Sequence, residues 1–132
     1  MNLDFSGRTA LVTGAAHGFG RAISLAFASR GAAVWACDVI EDELLETRRL
    51  CQAAGGDCTV RAVDVGDKTA VDRFVADASQ AAGCVHILVN NAGGVLGQVG
   101  RPLEKVTPAQ WQAIFDVNVT GSHKLFHAPR RG

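Results

Sequence analysis

An apolar run, Thr9-Ala-Leu-Val-Thr13, leads straight into Gly14-Ala-Ala-His-Gly-Phe-Gly20, and no other stretch of this sequence limits the fold so tightly. The run is short, unbroken and closed by glycine, which predicts a buried strand. Beyond it Phe19, Ala22, Ile23, Ala26 and Phe27 recur at i, i+3, i+4, i+7 and i+8, one apolar helix stripe, and Gly31 closes it. A glycine-rich turn between strand and helix can cradle phosphate. Gly14 permits the tight turn, Gly18 lets backbone approach a pyrophosphate with no side chain in the way, and Gly20 lets helix and strand pack closely. The helix N-terminus adds free N–H groups and partial positive charge. A plain turn is the alternative, and the strand-turn-helix context argues against it.

The same alternation continues. Strands are predicted over 33–38, 59–63 and 85–89, and helices over 41–54, from Asp67 to Gly83 with the stripe Val71, Phe74, Val75, Ala78, and from Thr107 to about residue 127. Asp67 can cap the third helix. Thr107-Pro-Ala-Gln110 offers a capping box with proline at the first helical position. Apolar strands alternating with helices imply an α/β fold: a Rossmann-like, doubly wound parallel sheet of about four strands covered on both faces.

Composition narrows the partners. Lys+Arg and Asp+Glu number 13 each, so the chain has no net charge to draw it to nucleic acid or an anionic membrane. No apolar run reaches the length of a membrane span. The start, Met1-Asn2-Leu3-Asp4-Phe5, has neither a basic region nor an apolar signal core, so a soluble cytoplasmic protein is expected. Cys37, Cys51, Cys58 and Cys84 form no Cys-x-x-Cys pair and are expected to be small buried thiols.

Asp38 ends the second strand. A carboxylate there can accept from both ribose hydroxyls of an adenosine and would repel a 2′-phosphate, favouring NAD over NADP. A solvated strand-end aspartate is the alternative. His17, beside the turn, could tolerate an extra phosphate, although neutral imidazole does little.

The spacing Thr-Gly-x-x-x-Gly-x-Gly, with Asp64-Val65 after the third strand, Asn90-Asn91-Ala92-Gly93 after the fourth, and Asn118 within Val117-Asn118-Val119, resembles the short-chain dehydrogenase/reductase family. The flavour is similar to the 3-oxoacyl-carrier-protein reductases. The resemblance covers residues from about 5 to 128 and implies hydride transfer between a nicotinamide dinucleotide and a carbonyl or alcohol carbon of a small molecule. It implies a cofactor site of Gly14, His17, Gly18, Phe19, Gly20, Asp38, Asp64, Val65, Asn91, Ala92 and Gly93. In it Asp64 would bond the adenine amino group, Val65 would pack beside it, and Asn91, Ala92 and Gly93 would run near the nicotinamide. Asn90 would brace the sheet.

Asn118 would hold a helix distortion and a water for proton relay; alternatively it is a core amide bonded to backbone. His123 and His127 share a helix face, but no third ligand accompanies them, and no metal site is expected. The family's catalytic step also uses a tyrosine with a lysine four residues on. The sequence contains no tyrosine. The chain is therefore expected to be the cofactor-binding portion of a longer enzyme, without the C-terminal strands and inactive by itself. A non-catalytic dinucleotide-binding or interaction module is the alternative, and a homo-oligomer is possible.

Overall fold

The computed structural model describes residues 3–93, 105 and 107–115. Its elements are β1 (Thr9–Thr13), α1 (Gly18–Ala28), β2 (Ala33–Asp38), α2 (Glu41–Ala53), β3 (Asp57–Ala62), α3 (Lys68–Ala82), β4 (Ile87–Val89) and α4 (Pro108–Phe115). The strands form one sheet in the order β3-β2-β1-β4, all pairs parallel. The register sets Thr13 opposite Cys37, Asp38 opposite Ala62, and Val12 opposite Val89. This is the expected Rossmann-like sheet. Its strand order reverses at β1, where the chain steps from β3 across to β4.

Strand residues alternate between two apolar cores, because successive side chains leave a strand on opposite faces. Leu11 and Cys37 join Val71, Phe74, Val75 and Ala78 of α3 on one face. Val12, Val34 and Ala36 join Ala28 of α1 and Leu44 and Cys51 of α2 on the other. All five β1 residues are buried, as a strand covered on both faces requires. The α3 stripe is the one the periodicity predicts. Asp67 caps that helix by accepting from Ala70 N–H at 3.2 Å, and Gly83 ends it at φ 84°.

The α1 stripe is a correction. Gly20, Ser24 and Ala28 form its buried ridge, while Ile23 and Phe27 are half-buried, Ala22 and Ala26 are exposed, and Phe19 is 83 % exposed. The reason is proximity. A helix that touches the β1 turn can seat only small residues there, so the bulkier apolar residues fall to the flank, where Phe27 meets Phe5 edge-on at 5.0 Å. Ser24 fits because its hydroxyl donates to the Gly20 carbonyl at 2.8 Å.

Two strands are offset from expectation. β3 starts at Asp57, directly after the Gly55-Gly56 stop, and Val63 lies beyond it yet still donates to the Asp38 carbonyl at 2.9 Å. β4 is limited to Ile87–Val89, with His86 N–H held by the Thr9 carbonyl at 3.0 Å. The capping box is present: Gln110 N–H donates to Thr107 Oγ1 (3.2 Å) and Thr107 N–H to Gln110 Oε1 (2.9 Å). The continuation of α4, with Asn118, His123 and His127, lies outside the described residues. Among the described residues no helix is long and apolar enough to cross a membrane.

Candidate functional site

The C-terminal ends of the four strands open into one cleft of about 840 Å³. In an open α/β sheet, the crevice at the strand-order reversal is where ligands bind. Of the eleven cofactor-site residues expected from sequence, Gly14, His17, Gly18, Phe19, Asp38, Asp64, Val65, Asn91, Ala92 and Gly93 line this cleft. Gly20 does not line it. It sits behind the turn.

The three glycines of the turn differ physically. Gly14 has φ 65°, and a Cβ on it would stand 3.0 Å from the Ala92 backbone. Gly18 has φ 57° and nothing within 4 Å of its Cβ position, so it presents open backbone to the cleft. A Cβ on Gly20 would lie 1.9 Å from the Gly14 carbonyl oxygen and 2.7 Å from Asn91 Nδ2. That contact is what brings the start of α1 onto the turn.

The β1–β4 junction depends on a residue whose side chain the sequence reading gave no part. Thr13 is fully buried. Its hydroxyl accepts from Asn91 N–H (3.1 Å) and Ala92 N–H (2.9 Å), and reaches the Val89 carbonyl at 3.4 Å. Asn91 Nδ2 donates to the Gly14 carbonyl at 3.1 Å. Among the described residues the bracing hydrogen bonds are therefore those of Asn91, whereas Asn90, the residue expected to brace, is exposed.

Asp38 does more than end β2. Its Oδ2 accepts from Ala16 N–H of the turn at 3.0 Å, and its Oδ1 from Val39 N–H at 2.6 Å and Ile40 N–H at 3.4 Å. It is thus a brace between β2 and the turn rather than a merely solvated aspartate. A carboxylate has about four acceptor positions, so capacity remains for a ligand hydroxyl. Asp64, exposed at the end of β3, accepts from Gly66 N–H at 2.8 Å, and Val65 beside it is buried against the α3 core. His17 is exposed, its Nε2 3.8 Å from Glu43 Oε2.

Cys37, Val39, Ile40, Val63, Gly66 and Ala113 complete the lining. Burial, with Asp38 adjacent, pushes the Cys37 thiol up to about 12, so it is a neutral apolar floor rather than a nucleophile. Phe19, Val39 and Ile40 are large apolar side chains left exposed around the opening. Such residues suit the flat face of a base or ring. Arg21 and Thr47, which hold the turn from behind, were also invisible in the sequence, because they meet each other across α1 and α2 and Thr47 reaches the turn from 31 and 32 residues away. Among the described residues no group of three or more His, Cys, Asp or Glu could hold a metal ion.

There is an open glycine cradle at Gly18, the helix-start residues His17, Gly18 and Phe19 line the cleft, and carboxylates stand at or just past the tips of β2 and β3. Fold and cleft together define a Rossmann-like α/β protein. A family model described as short chain dehydrogenase matches residues 8–129, and the chain belongs to that family. It is similar to 1-deoxy-11-beta-hydroxypentalenate dehydrogenase of Streptomyces exfoliatus, 40% identical over 111 residues, covering 84% of this chain and 40% of that protein. It is also similar to a metagenomic short-chain oxidoreductase solved in complex with NADP (TM-score 0.88, 36% identity, 94% of this chain and 55% of that one). A short chain dehydrogenase from Mycobacterium paratuberculosis bound to NAD gives a TM-score of 0.86 at 32% identity, covering 93% of this chain and 49% of that one. The chain spans less than half the length of the curated relatives named first in this comparison.

Proposed function

We propose that residues 1–132 are a dinucleotide-binding half-domain that takes a nicotinamide dinucleotide, NAD in preference to NADP, in the cleft at the strand tips. The observation that carries this reading is Gly18: a positive-φ glycine at the start of α1, open to the cleft and with no atom near its Cβ position. Pyrophosphate would lie against the amides of residues 17–19, where the helix start supplies partial positive charge. The adenosine ribose would meet Asp38, and the adenine would lie by Asp64 and Val65. The nicotinamide end would run toward Asn91, Ala92 and Gly93. The preference for NAD rests on the Asp38 carboxylate, which would repel a 2′-phosphate. The related structures include one with NADP and one with NAD.

The bound cofactor supplies hydride chemistry at its nicotinamide, and the substrate would be a small carbonyl or secondary alcohol. The 132 residues contain no tyrosine, so cofactor binding is the share of that activity these residues carry, and alone they transfer no hydride. Asn118 keeps the proton-relay role that the resemblance gives it. A cytoplasmic setting accords with Cys37, Cys51, Cys58 and Cys84 being free thiols.

The test is a fluorescence titration of the 132-residue chain with NADH, with NADPH in parallel. Saturable NADH binding that is lost in Gly18→Ala supports the reading. A folded chain that binds neither dinucleotide overturns it.

A further inference from the structure

Two side chains outside the cleft hold the phosphate turn from behind. Thr47 of α2 is fully buried. Its hydroxyl lies 2.7 Å from the Ala15 carbonyl, 3.2 Å from the Glu43 carbonyl and 3.3 Å from the Ala16 carbonyl, and it accepts from Arg21 Nε at 3.0 Å. A hydroxyl has one proton, and the shortest distance assigns it to Ala15. Arg21 Nη2 donates to the Ala16 carbonyl at 2.6 Å and to the Glu43 carbonyl at 3.0 Å. Neither Arg21 nor Thr47 lines the cleft.

These contacts fix two consecutive peptide planes. The plane joining residues 15 and 16 is held at both ends, its carbonyl by Thr47 and its N–H by Asp38 Oδ2 at 3.0 Å. Ala15 N–H is used as well, by the Cys37 carbonyl at 3.1 Å. The amides of 15 and 16 are therefore committed to the fold. In the next plane the carbonyl of Ala16 is drawn to Arg21. A trans peptide is planar and carries its C=O and N–H on opposite sides, so His17 N–H is directed away from Arg21. His17, Gly18 and Phe19 all line the cleft.

We propose that Arg21 and Thr47 are positioning residues for pyrophosphate binding: by pinning the carbonyls of Ala15 and Ala16, they aim the amide of His17, at the start of α1, at the ligand. This rests on the reading of the cleft as a dinucleotide site. Its physical content is preorganisation. Amides already aligned lose no freedom when the anion arrives, whereas a turn free to rotate its peptides must be ordered by the ligand. The guanidinium suits the task because three donor contacts leave one rigid fork, which a lysine cannot reproduce.

The role separates from general stability by choice of ligand. ADP carries a pyrophosphate and adenosine does not, although both use Asp38 and the adenine end. The 132-residue chain would be titrated with ADP, adenosine and NADH by NMR chemical-shift mapping, as wild type, Thr47→Val, Thr47→Ser, Arg21→Met and Phe74→Leu. Phe74 lies in the core on the other face of the sheet and controls for destabilisation. Thr47→Val and Arg21→Met are expected to weaken ADP and NADH about tenfold while changing adenosine less than about twofold, since one or two aligned hydrogen bonds correspond to that factor. Thr47→Ser, which keeps the hydroxyl, should recover wild-type ADP binding, and Phe74→Leu should leave the ADP-to-adenosine ratio unchanged. Equal weakening of ADP and adenosine in the Thr47 and Arg21 variants overturns the positioning role and leaves the dinucleotide reading intact. A wild-type chain that binds none of the three ligands sinks both.

Discussion

Asn91 reaches from the tip of β4 to the tip of β1, where its Nδ2 donates to the carbonyl of Gly14 at 3.1 Å. The bond joins the two halves of the strand-order reversal, and it also explains why Gly20 can carry no side chain: the same carbonyl and the same amide nitrogen occupy the space. Asn91→Ala is expected to cost about 1–2 kcal/mol, the usual loss when a partly buried carbonyl is left without its donor. Asn91→Asp should cost more at neutral pH, because it sets a carboxylate oxygen against the Gly14 carbonyl. Chemical denaturation of the two variants measures the order, and an Asp variant as stable as wild type would contradict it.

Gly18 and Gly20 should fail in opposite ways. At Gly20 a methyl group would meet the Gly14 oxygen at 1.9 Å, so Gly20→Ala must displace α1 or the turn and is expected to destabilise by about 3 kcal/mol. At Gly18 there is room, and Gly18→Ala should cost only the left-handed backbone penalty of roughly 1–2 kcal/mol. Yet Gly18→Ala puts a methyl in the cleft, and dinucleotide affinity should fall sharply in a chain that remains folded. Thermal melts paired with NADH titrations separate the two.

Asp38→Ala tests cofactor choice. If Asp38 faces the ribose as proposed, removing its charge should shrink the proposed NADH preference over NADPH by about tenfold, or ~1.4 kcal/mol. Both affinities should also decline, because the Ala16 N–H loses its acceptor and the turn loosens. The ratio of the two dissociation constants is therefore the readout. A ratio unchanged from wild type would assign Asp38 to bracing alone.

Alkaline stability should follow the buried Cys37 thiol. In the unfolded chain Cys37 loses its proton near the ordinary value of 9.0, and in the folded chain near 12, because burial and Asp38 oppose the thiolate. Between those values the unfolded state binds fewer protons than the folded state. Stability contributed by the neutral thiol is thus complete below pH 9.0 and is lost as pH rises toward 12. The slope is at most ~1.4 kcal/mol per pH unit for one group. Cys37→Ala should flatten the decline by one proton's share, read from denaturation midpoints across that range.

The turn was legible because each of its glycines answers a local backbone demand. The spacing assigns a tight turn to Gly14, open backbone to Gly18 and close packing to Gly20, and the structure has Gly14 and Gly18 at positive φ and Gly20 against the Gly14 carbonyl. The α3 stripe was legible for the same kind of reason, since one helix face opposes one sheet face. The α1 stripe departs from expectation at Phe19, Ala22 and Ala26, all exposed. Periodicity locates an apolar face but does not tell a residue that packs on the sheet from one that edges a cleft. Asn118 lies outside the described residues.

The sequence by itself determined the alternation of strand and helix, the glycine cradle, the cap at Asp67, the capping box at Thr107, and a carboxylate at the end of β2. All are properties of residues a few positions apart, where backbone geometry alone restricts the outcome. Tertiary structure decided which groups meet across long separations: Thr13 with Asn91 and Ala92, Asp38 with Ala16, Thr47 with the carbonyl of Ala15, and Arg21 with Thr47 and the carbonyl of Glu43. Those pairings depend on the strand order β3-β2-β1-β4 and on α2 lying beside α1. The packing of two apolar faces on one sheet fixes that order. Hydrogen-bonding capacity is written in each residue, but its partner is chosen only when the layers close.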